Sequence, residues 1–370
     1  MPAPSDITAN PETTCDVKPV RDHLLAVLRM LDANLNRAAE GLRVAEDYCR
    51  FALNDSFLTD ATKQVRHRLI ESIPADIASA LFASRQTESD VGTAISTPGE
   101  QHRTDLAHIV AAAWNRVQQA LRVIEECLKL VAPPAAGHIE QLRYRSYTLA
   151  KACAITAESR ERLSSARLYV LIGSGRSECA FVERVQSLID AGVDVVQLRD
   201  KRLDDRTLLE RAQLLRRAID AANRRPLFIM NDRPDLAVLA RADGVHVGQE
   251  ELSVHDARQI VVPNMLVGVS THSIEQARQA VLDGANYIGC GPTFQSGTKH
   301  FDHFPGLDLL RQVAAEISSP AFAIGGITLE NVRQVLAAGF SRVALSGAIC
   351  NSAEPASSVS AFLTALNTRI

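Results

Sequence analysis

Gln197-Leu198-Arg199-Asp200-Lys201 places an amide and two cations at alternate positions directly behind Val193-Asp194-Val195-Val196, an apolar run rich in β-branched residues. Such a run reads as a strand. A side-chain period of two puts Val195, Gln197, Arg199 and Lys201 on one face, with Val196 and Leu198 on the other. An unpaired Arg and Lys on the inner face of a sheet would be costly to bury. The economical place for them is the open end of a strand, facing an anion.

Polar groups recur at the ends of the apolar runs that follow. Asn231-Asp232, Gly248-Gln249-Glu250-Glu251, Ser270-Thr271-His272, the stretch from Gly291 to Lys299, Gly325-Gly326 and Ser346-Gly347 each close one run. Arg199, Lys201 and Lys299, with Gln197, Asn231 and Ser270 as neutral partners, make a cationic cluster suited to a polyanion such as diphosphate. Asp232 and Glu251 are hard oxygen donors suited to Mg²⁺, which usually takes one or two carboxylates plus substrate phosphates. Gly325-Gly326 and Ser346-Gly347 offer backbone N–H groups to a phosphomonoester. Taken singly, each has a plainer reading: a lone cation is a surface ion pair, and Gly-Gly a tight turn. His246 reads as structural packing, and Gly173-Ser174-Gly175 as a turn without the spacing of a nucleotide fingerprint.

The elements that would position these groups are legible as periodicity. Strand candidates are Leu168–Ile172, Val193–Arg199, Pro226–Asn231, Gly244–Gly248, Leu266–Ser270, Tyr287–Cys290, Ala321–Ile324 and Arg342–Leu345, with helical patterns between them. Alternation of this kind predicts parallel βα units and, from the strand count, an α/β fold of the (β/α)₈ TIM-barrel type over 161–370. A doubly wound open sheet is the alternative. Residues 21–160 read as an all-α helical bundle, behind a polar tail at 1–20 that lacks the marks of a secretory signal. The bundle contains a repeat: Asn36-Arg37, Leu42-Arg43-Val44 and Glu46 return 79 residues later as Asn115-Arg116, Leu121-Arg122-Val123 and Glu125. The net charge of −3 gives no reason to expect nucleic acid or an acidic membrane as partner. Seven scattered cysteines and no long apolar segment point to a reduced, cytoplasmic protein; the polyanion-binding cluster makes phosphorylated small molecules its expected partners.

Taken together, the ordered motifs QLRDK, MND, ADGVHVGQEE, GVSTH, GPTFQSGTK, AIGGI and ALSGAI resemble the thiamine phosphate synthases over about residues 165–365. The resemblance implies condensation of hydroxymethylpyrimidine diphosphate with hydroxyethylthiazole phosphate, giving thiamine phosphate and diphosphate. It implies that Gln197, Arg199, Lys201, Asn231, Ser270 and Lys299 hold the pyrimidine diphosphate. Ser296, Thr298, Gly326, Ser346 and Gly347 would hold the thiazole phosphate, and Asp232 and Glu251 would bind Mg²⁺. Glu251 departs from the family pattern, which usually has Asp there.

The helical half resembles a domain fused to some of these synthases and linked to hydroxymethylpyrimidine phosphate kinases. The resemblance rests on Asn36-Arg37, Gly41-Leu42-Arg43-Val44, Asp90-Val91-Gly92-Thr93 and Asn115-Arg116. Asn36, Arg43, Asp90 and Arg122 are its candidate site residues, and Asn36, Glu40, Arg43 and Asp47 fall on one helical stripe. A structural or dimerisation role for this half is the alternative. For the barrel, the rivals are an isomerase like the thiazole tautomerases and a non-catalytic module that binds thiamine phosphates.

Overall fold

The β-branched runs of the C-terminal half pair side by side as parallel strands. They are β1 (Leu168–Ile172), β2 (Val195–Leu198), β3 (Leu227–Asn231), β4 (Gly244–Val247), β5 (Leu266–Thr271), β6 (Tyr287–Cys290), β7 (Ala321–Ile324) and β8 (Val343–Leu345). β1 is bonded to both β2 and β8, so the sheet closes on itself in sequence order. Closure excludes the open-sheet alternative and leaves no bare edge. The structure is a computed structural model that describes residues 17–85, 103–175, 177–295 and 305–368.

Each strand is followed by a helix. In order these are α6 (Glu178–Ala191), α7 (Asp205–Ala221), α8 (Pro234–Leu239), α9 (Val254–Ile260), α10 (Ile274–Asp283), α11 (Gly306–Glu316) and α12 (Val332–Ala337). After β8 come α13 (Gly347–Cys350) and α14 (Pro355–Asn367). The helical segment ahead of the barrel holds α1 (Val17–Asp47), a π-helical turn (Tyr48–Leu53), α2 (Ser56–Glu71), α3 (Ala75–Ser84), α4 (Leu106–Val131) and α5 (Pro133–Arg162). Several barrel helices start where the sequence supplies a cap. Ser177, Asp204, Ser253 and Ser273 each accept the backbone N–H of the third residue on, meeting a donor that the helix cannot satisfy internally.

The chain forms two compact units, one of Lys63–Ser146 with residues up to Ala45, the other of Glu46–Thr62 with Tyr147–Ile370. In the first, α1 buries Leu31, Leu35, Ala38, Leu42 and Ala45, a spacing of three and four. Gly41 lies where a Cβ would come within 2.7 Å of Val117 Cγ2, so the glycine lets α1 and α4 approach closely. Glu125 is buried in α4 and accepts from Arg143 Nε at 2.8 Å. Burial opposes its ionisation, but hydrogen bonds from Arg143 and Lys129 outweigh that and hold its carboxyl below the ordinary range.

The second unit is the barrel together with two helical pieces packed on it. Buried Asp55 accepts the backbone N–H of Leu58, capping α2, and that of Ser318 ahead of β7, both at 2.7 Å. Arg160 near the end of α5 donates to the Leu53 carbonyl, and Asn286 ahead of β6 donates to Ser159 Oγ at 2.9 Å. Inside the barrel, Tyr169, Val195, Ile229, Leu266, Tyr287, Phe322 and Ala344 pack as one apolar cluster. The Tyr169 and Tyr287 rings meet Phe322 edge-on, with centroids 5.3 and 5.7 Å apart. This cluster is an apolar floor. Two residues further along, the inward positions include Gln197, Asn231, His246 and Ser346, and the lining turns polar.

Candidate active site

The strand pleat that buries Val195 carries Gln197 inward one step above the floor. Gln197 is buried, and its Nε2 donates to Tyr169 Oη at 2.9 Å, while Tyr169 and Tyr287 hydroxyls lie 3.1 Å apart. Burial pushes both phenols above their ordinary pKa, so they stand as neutral hydroxyls. Gln197 Oε1 is buried with no hydrogen-bond partner among the described residues. A buried acceptor of this kind can be met by an ordered water or by a ligand group. Arg199, one pleat higher, is exposed, and its guanidinium shows no ion pair among the described residues.

Lys201 lies beyond Arg199 and is differently engaged. Its Nζ stands 2.9 Å from Asp232 Oδ2 and 2.8 Å from Glu251 Oε1. Hydrogen bonds to Glu251 and then to Asp232 raise its pKa. Asp232 follows β3 with φ of 60°, a left-handed conformation that few non-glycine residues adopt and that concentrates at functional sites. Glu251 folds back over Gly248, where a Cβ would stand 2.1 Å from Glu251 Oε2. The longer side chain therefore reaches the common point by doubling back. Two carboxylates from adjacent strand ends converge on one ammonium, so their oxygens can share a single cation. That donor set fits Mg²⁺, whose remaining positions water and substrate phosphates would fill. Among the described residues no group of three metal-binding side chains occurs.

Asp200 sits between the two cations in sequence but points the other way. It is buried and accepts from Ser174 Oγ at 2.6 Å and from the Arg202 backbone N–H at 3.1 Å. Burial opposes its ionisation, yet hydrogen bonds from Arg202 and Ser174 prevail and hold it far below the usual carboxylate range. It pins the loop after β2 to the loop after β1, and so positions Arg199 and Lys201. Sequence reasoning gave Asp200 no role, because its partner Ser174 comes from another strand end.

Asn231 is half-buried at the end of β3, and Ser270, on β5, has its Oγ 3.0 Å from His246 Nε2. Burial lowers the His246 pKa to about 4. At the far side, Gly325 and Gly326 follow β7 with φ of 99° and 63°. Both angles lie in the region that glycine adopts without a Cβ penalty. Ser346 Oγ donates to the Leu171 carbonyl at 3.3 Å, and Gly347 opens α13; both are exposed at the rim. Ser296, Thr298 and Lys299 lie outside the described residues, as does Asp90. In the helical unit, Asn36, Arg43 and Arg122 are on exposed faces, and Arg122 pairs with Glu125 and Glu126. Of the expected stripe, Asn36, Glu40 and Arg43 are exposed and Asp47 is half-buried, and among the described residues of α1 and α4 the buried polar groups are Asn34, Glu46 and Glu125.

Residues 168–349 match the family model described as thiamine monophosphate synthase, and residues 29–152 match that of the ThiD2 family. The thiamine-phosphate synthase of Rhodopirellula baltica is 50% identical over 333 residues, covering 87% of this chain and 88% of that protein. The chain belongs to the thiamine-phosphate synthase family. A second member, from Gloeobacter violaceus, is 41% identical and covers 92% of this chain and 97% of its own length. The thiamine-phosphate synthase of Synechocystis is 38% identical over the same shares. These relatives span both the helical half and the barrel, so the two-part layout is common to this group of synthases. No helix among the described residues is long and apolar enough to cross a membrane.

Proposed function

We propose that the barrel, as a transferase, joins 4-amino-2-methyl-5-(diphosphooxymethyl)pyrimidine to hydroxyethylthiazole phosphate, and that this happens in the cytoplasm. The observation that carries the reading is the rim formed by exposed Arg199 and the Lys201–Asp232–Glu251 cluster, with the Gly325-Gly326 turn at the end of β7 across the closed barrel. One side suits a diphosphate with its metal, the other a phosphomonoester. The C–O bond to diphosphate breaks and its electron pair leaves with the diphosphate. The methylene cation is stabilised by the aminopyrimidine ring. The thiazole nitrogen then gives its lone pair to that carbon, forming the C–N bond with no proton to transfer.

In this scheme Arg199, Lys201 and Ser270 hold the departing diphosphate, with Lys299 and Asn231 assigned beside them. Asp232 and Glu251 would hold Mg²⁺, which when bound supplies charge neutralisation to the leaving group. Gln197 Oε1 would receive a donor from the pyrimidine. Gly326, Ser346 and Gly347, with Ser296 and Thr298, would hold the thiazole phosphate. Catalysis by positioned charge needs no side-chain nucleophile. An isomerase would need one phosphate site and an acid–base group; the carboxylate pair and the second anion site fit a two-substrate reaction better. The test is mass spectrometry of the products formed from both phosphorylated heterocycles with Mg²⁺. Thiamine phosphate and free diphosphate are expected in equal amounts, and binding without turnover would leave only the non-catalytic reading.

The match of residues 29–152 to the ThiD2 family supports a second assignment, a kinase that makes the pyrimidine diphosphate from its monophosphate. Supplying ATP, Mg²⁺, the pyrimidine monophosphate and thiazole phosphate should then yield thiamine phosphate. Failure, in protein that is active on the diphosphate, leaves the helical unit a structural role.

A further inference from the structure

His246 lies on β4 behind the residues assigned to substrate. Its ring tilts against Tyr287 with centroids 5.5 Å apart, and a Cβ on Gly289 would stand 3.4 Å from its Cε1. Packing therefore sets the ring's plane. Nε2 lies 3.0 Å from Ser270 Oγ, and Nδ1 is buried with no partner among the described residues.

These facts decide where the imidazole proton resides. A proton on Nδ1 would be a buried donor with no acceptor, and an imidazolium would add a buried charge to that defect. A bare lone pair at Nδ1 is the better tolerated of the unmet groups. The proton belongs on Nε2, and Nε2–H donates to Ser270 Oγ. A serine hydroxyl has one hydrogen to give. With its oxygen already accepting from His246, Ser270 keeps that hydrogen for whatever lies above it in the barrel mouth. In the opposite tautomer Ser270 would give its hydrogen to Nε2 and turn only lone pairs toward an anion.

We propose that His246 is a positioning residue whose Nε2–H tautomer holds Ser270 as a hydrogen-bond donor to the diphosphate of the substrate. This rests on the assignment of Ser270 to the diphosphate subsite.

The direct test is ¹⁵N NMR of histidine-labelled full-length protein, with the His246 signals identified by their loss in His246→Gln. Nε2–H is expected both without ligand and with saturating inorganic diphosphate at fixed Mg²⁺. An Nδ1–H tautomer or an imidazolium at neutral pH overturns the proposal without touching the subsite assignment. The companion measurement is the affinity for inorganic diphosphate. Ser270→Ala should weaken it by roughly tenfold, the loss of one hydrogen bond to a charged group. His246→Phe should weaken it by several-fold, and the double variant should be no weaker than Ser270→Ala alone. His246→Gln, which can place an amide N–H where Nε2–H was, should stay within about threefold of wild type. Losses that multiply in the double variant would mean that His246 acts independently of Ser270, and the proposal falls. Unchanged affinity in Ser270→Ala would instead remove Ser270 from the subsite, and the proposed role of His246 with it.

Discussion

Replacing Gly326 by alanine should separate the two halves of the barrel site. At φ of 63° an alanine is strained by about 1–2 kcal/mol before any contact is considered. Its Cβ would then stand 2.6 Å from the Phe294 carbonyl oxygen and 2.7 Å from that of Gln295, both backbone atoms. Neither can rotate away as a side chain would. The segment after β6 must shift by several tenths of an ångström, although it is tied to β7 by Thr293 N–H to the Ile324 carbonyl and Phe294 N–H to the Gly325 carbonyl, each 2.9 Å. A displacement approaching 1 Å at a positioning element can cost on the order of 10²-fold in rate. We expect kcat/KM for the thiazole phosphate to fall by about 10- to 100-fold, while diphosphate affinity changes by less than about threefold. Steady-state kinetics with each substrate varied in turn, alongside a urea unfolding curve, measures both effects. A variant with thiazole phosphate kinetics within twofold of wild type would refute the reasoning. So would an equal loss toward both substrates, because the glycine would then not belong to one subsite.

Three further outcomes follow from contacts already described. Asp55→Ala removes a helix cap, worth about 1 kcal/mol, and leaves the Ser318 N–H without its acceptor, roughly 1–3 kcal/mol more; the urea midpoint should fall with little change in slope. Lys201→Met frees Asp232 and Glu251 from their shared ammonium, so Mg²⁺ should bind the substrate-free protein about five- to tenfold more tightly by calorimetry; weaker binding would show that the carboxylates do not share a cation. Because Asp200 is held below its ordinary pKa, its contribution to stability is full above about pH 4 and is lost as pH falls from there toward its folded value. Asp200→Asn should therefore be destabilised at pH 7 and show a flatter acid limb below pH 4, and parallel limbs would count against the assigned hydrogen bonds.

The barrel was legible because a strand buried on both faces must be an unbroken apolar run, and each such run here ends abruptly in polar residues. The eight strands start and stop within two residues of the runs that announce them. Alternation along a strand also predicted that Gln197 and Arg199 share a face. What periodicity cannot supply is the identity of the neighbour on the next strand. Lys201 read as part of an anion clamp, and periodicity gave no sign that its ion-pair partners in this structure are Asp232 and Glu251, residues contributed by two other strand ends. His246 read as packing, which its contact with the Tyr287 ring bears out, but its further contact with Ser270 depends on the cross-strand register of β4 with β5. The helical half shows the same limit. The three-and-four spacing of Asn36, Glu40 and Arg43 defines a stripe but not which way it faces, and here it faces outward while Glu125 and Arg143 pair inside.

The polar rim draws its sense from the layer beneath it. Gln197 is an amide with a donor end and an acceptor end, and Tyr169 Oη takes the donor, leaving Oε1 to face a ligand. Ser270 is a hydroxyl that can give or receive, and His246 Nε2–H makes it give. Two ambivalent groups are thus converted into one acceptor and one donor by residues that need never touch substrate. Tyr169 and His246 are themselves held by the Tyr287 ring, which lies against both. A single aromatic side chain on β6 therefore supports the hydrogen-bonding polarity of β2 and of β5. Under the proposed assignment the ligand would meet groups whose directions are already chosen, so little reorganisation would remain when charge moves onto the leaving diphosphate.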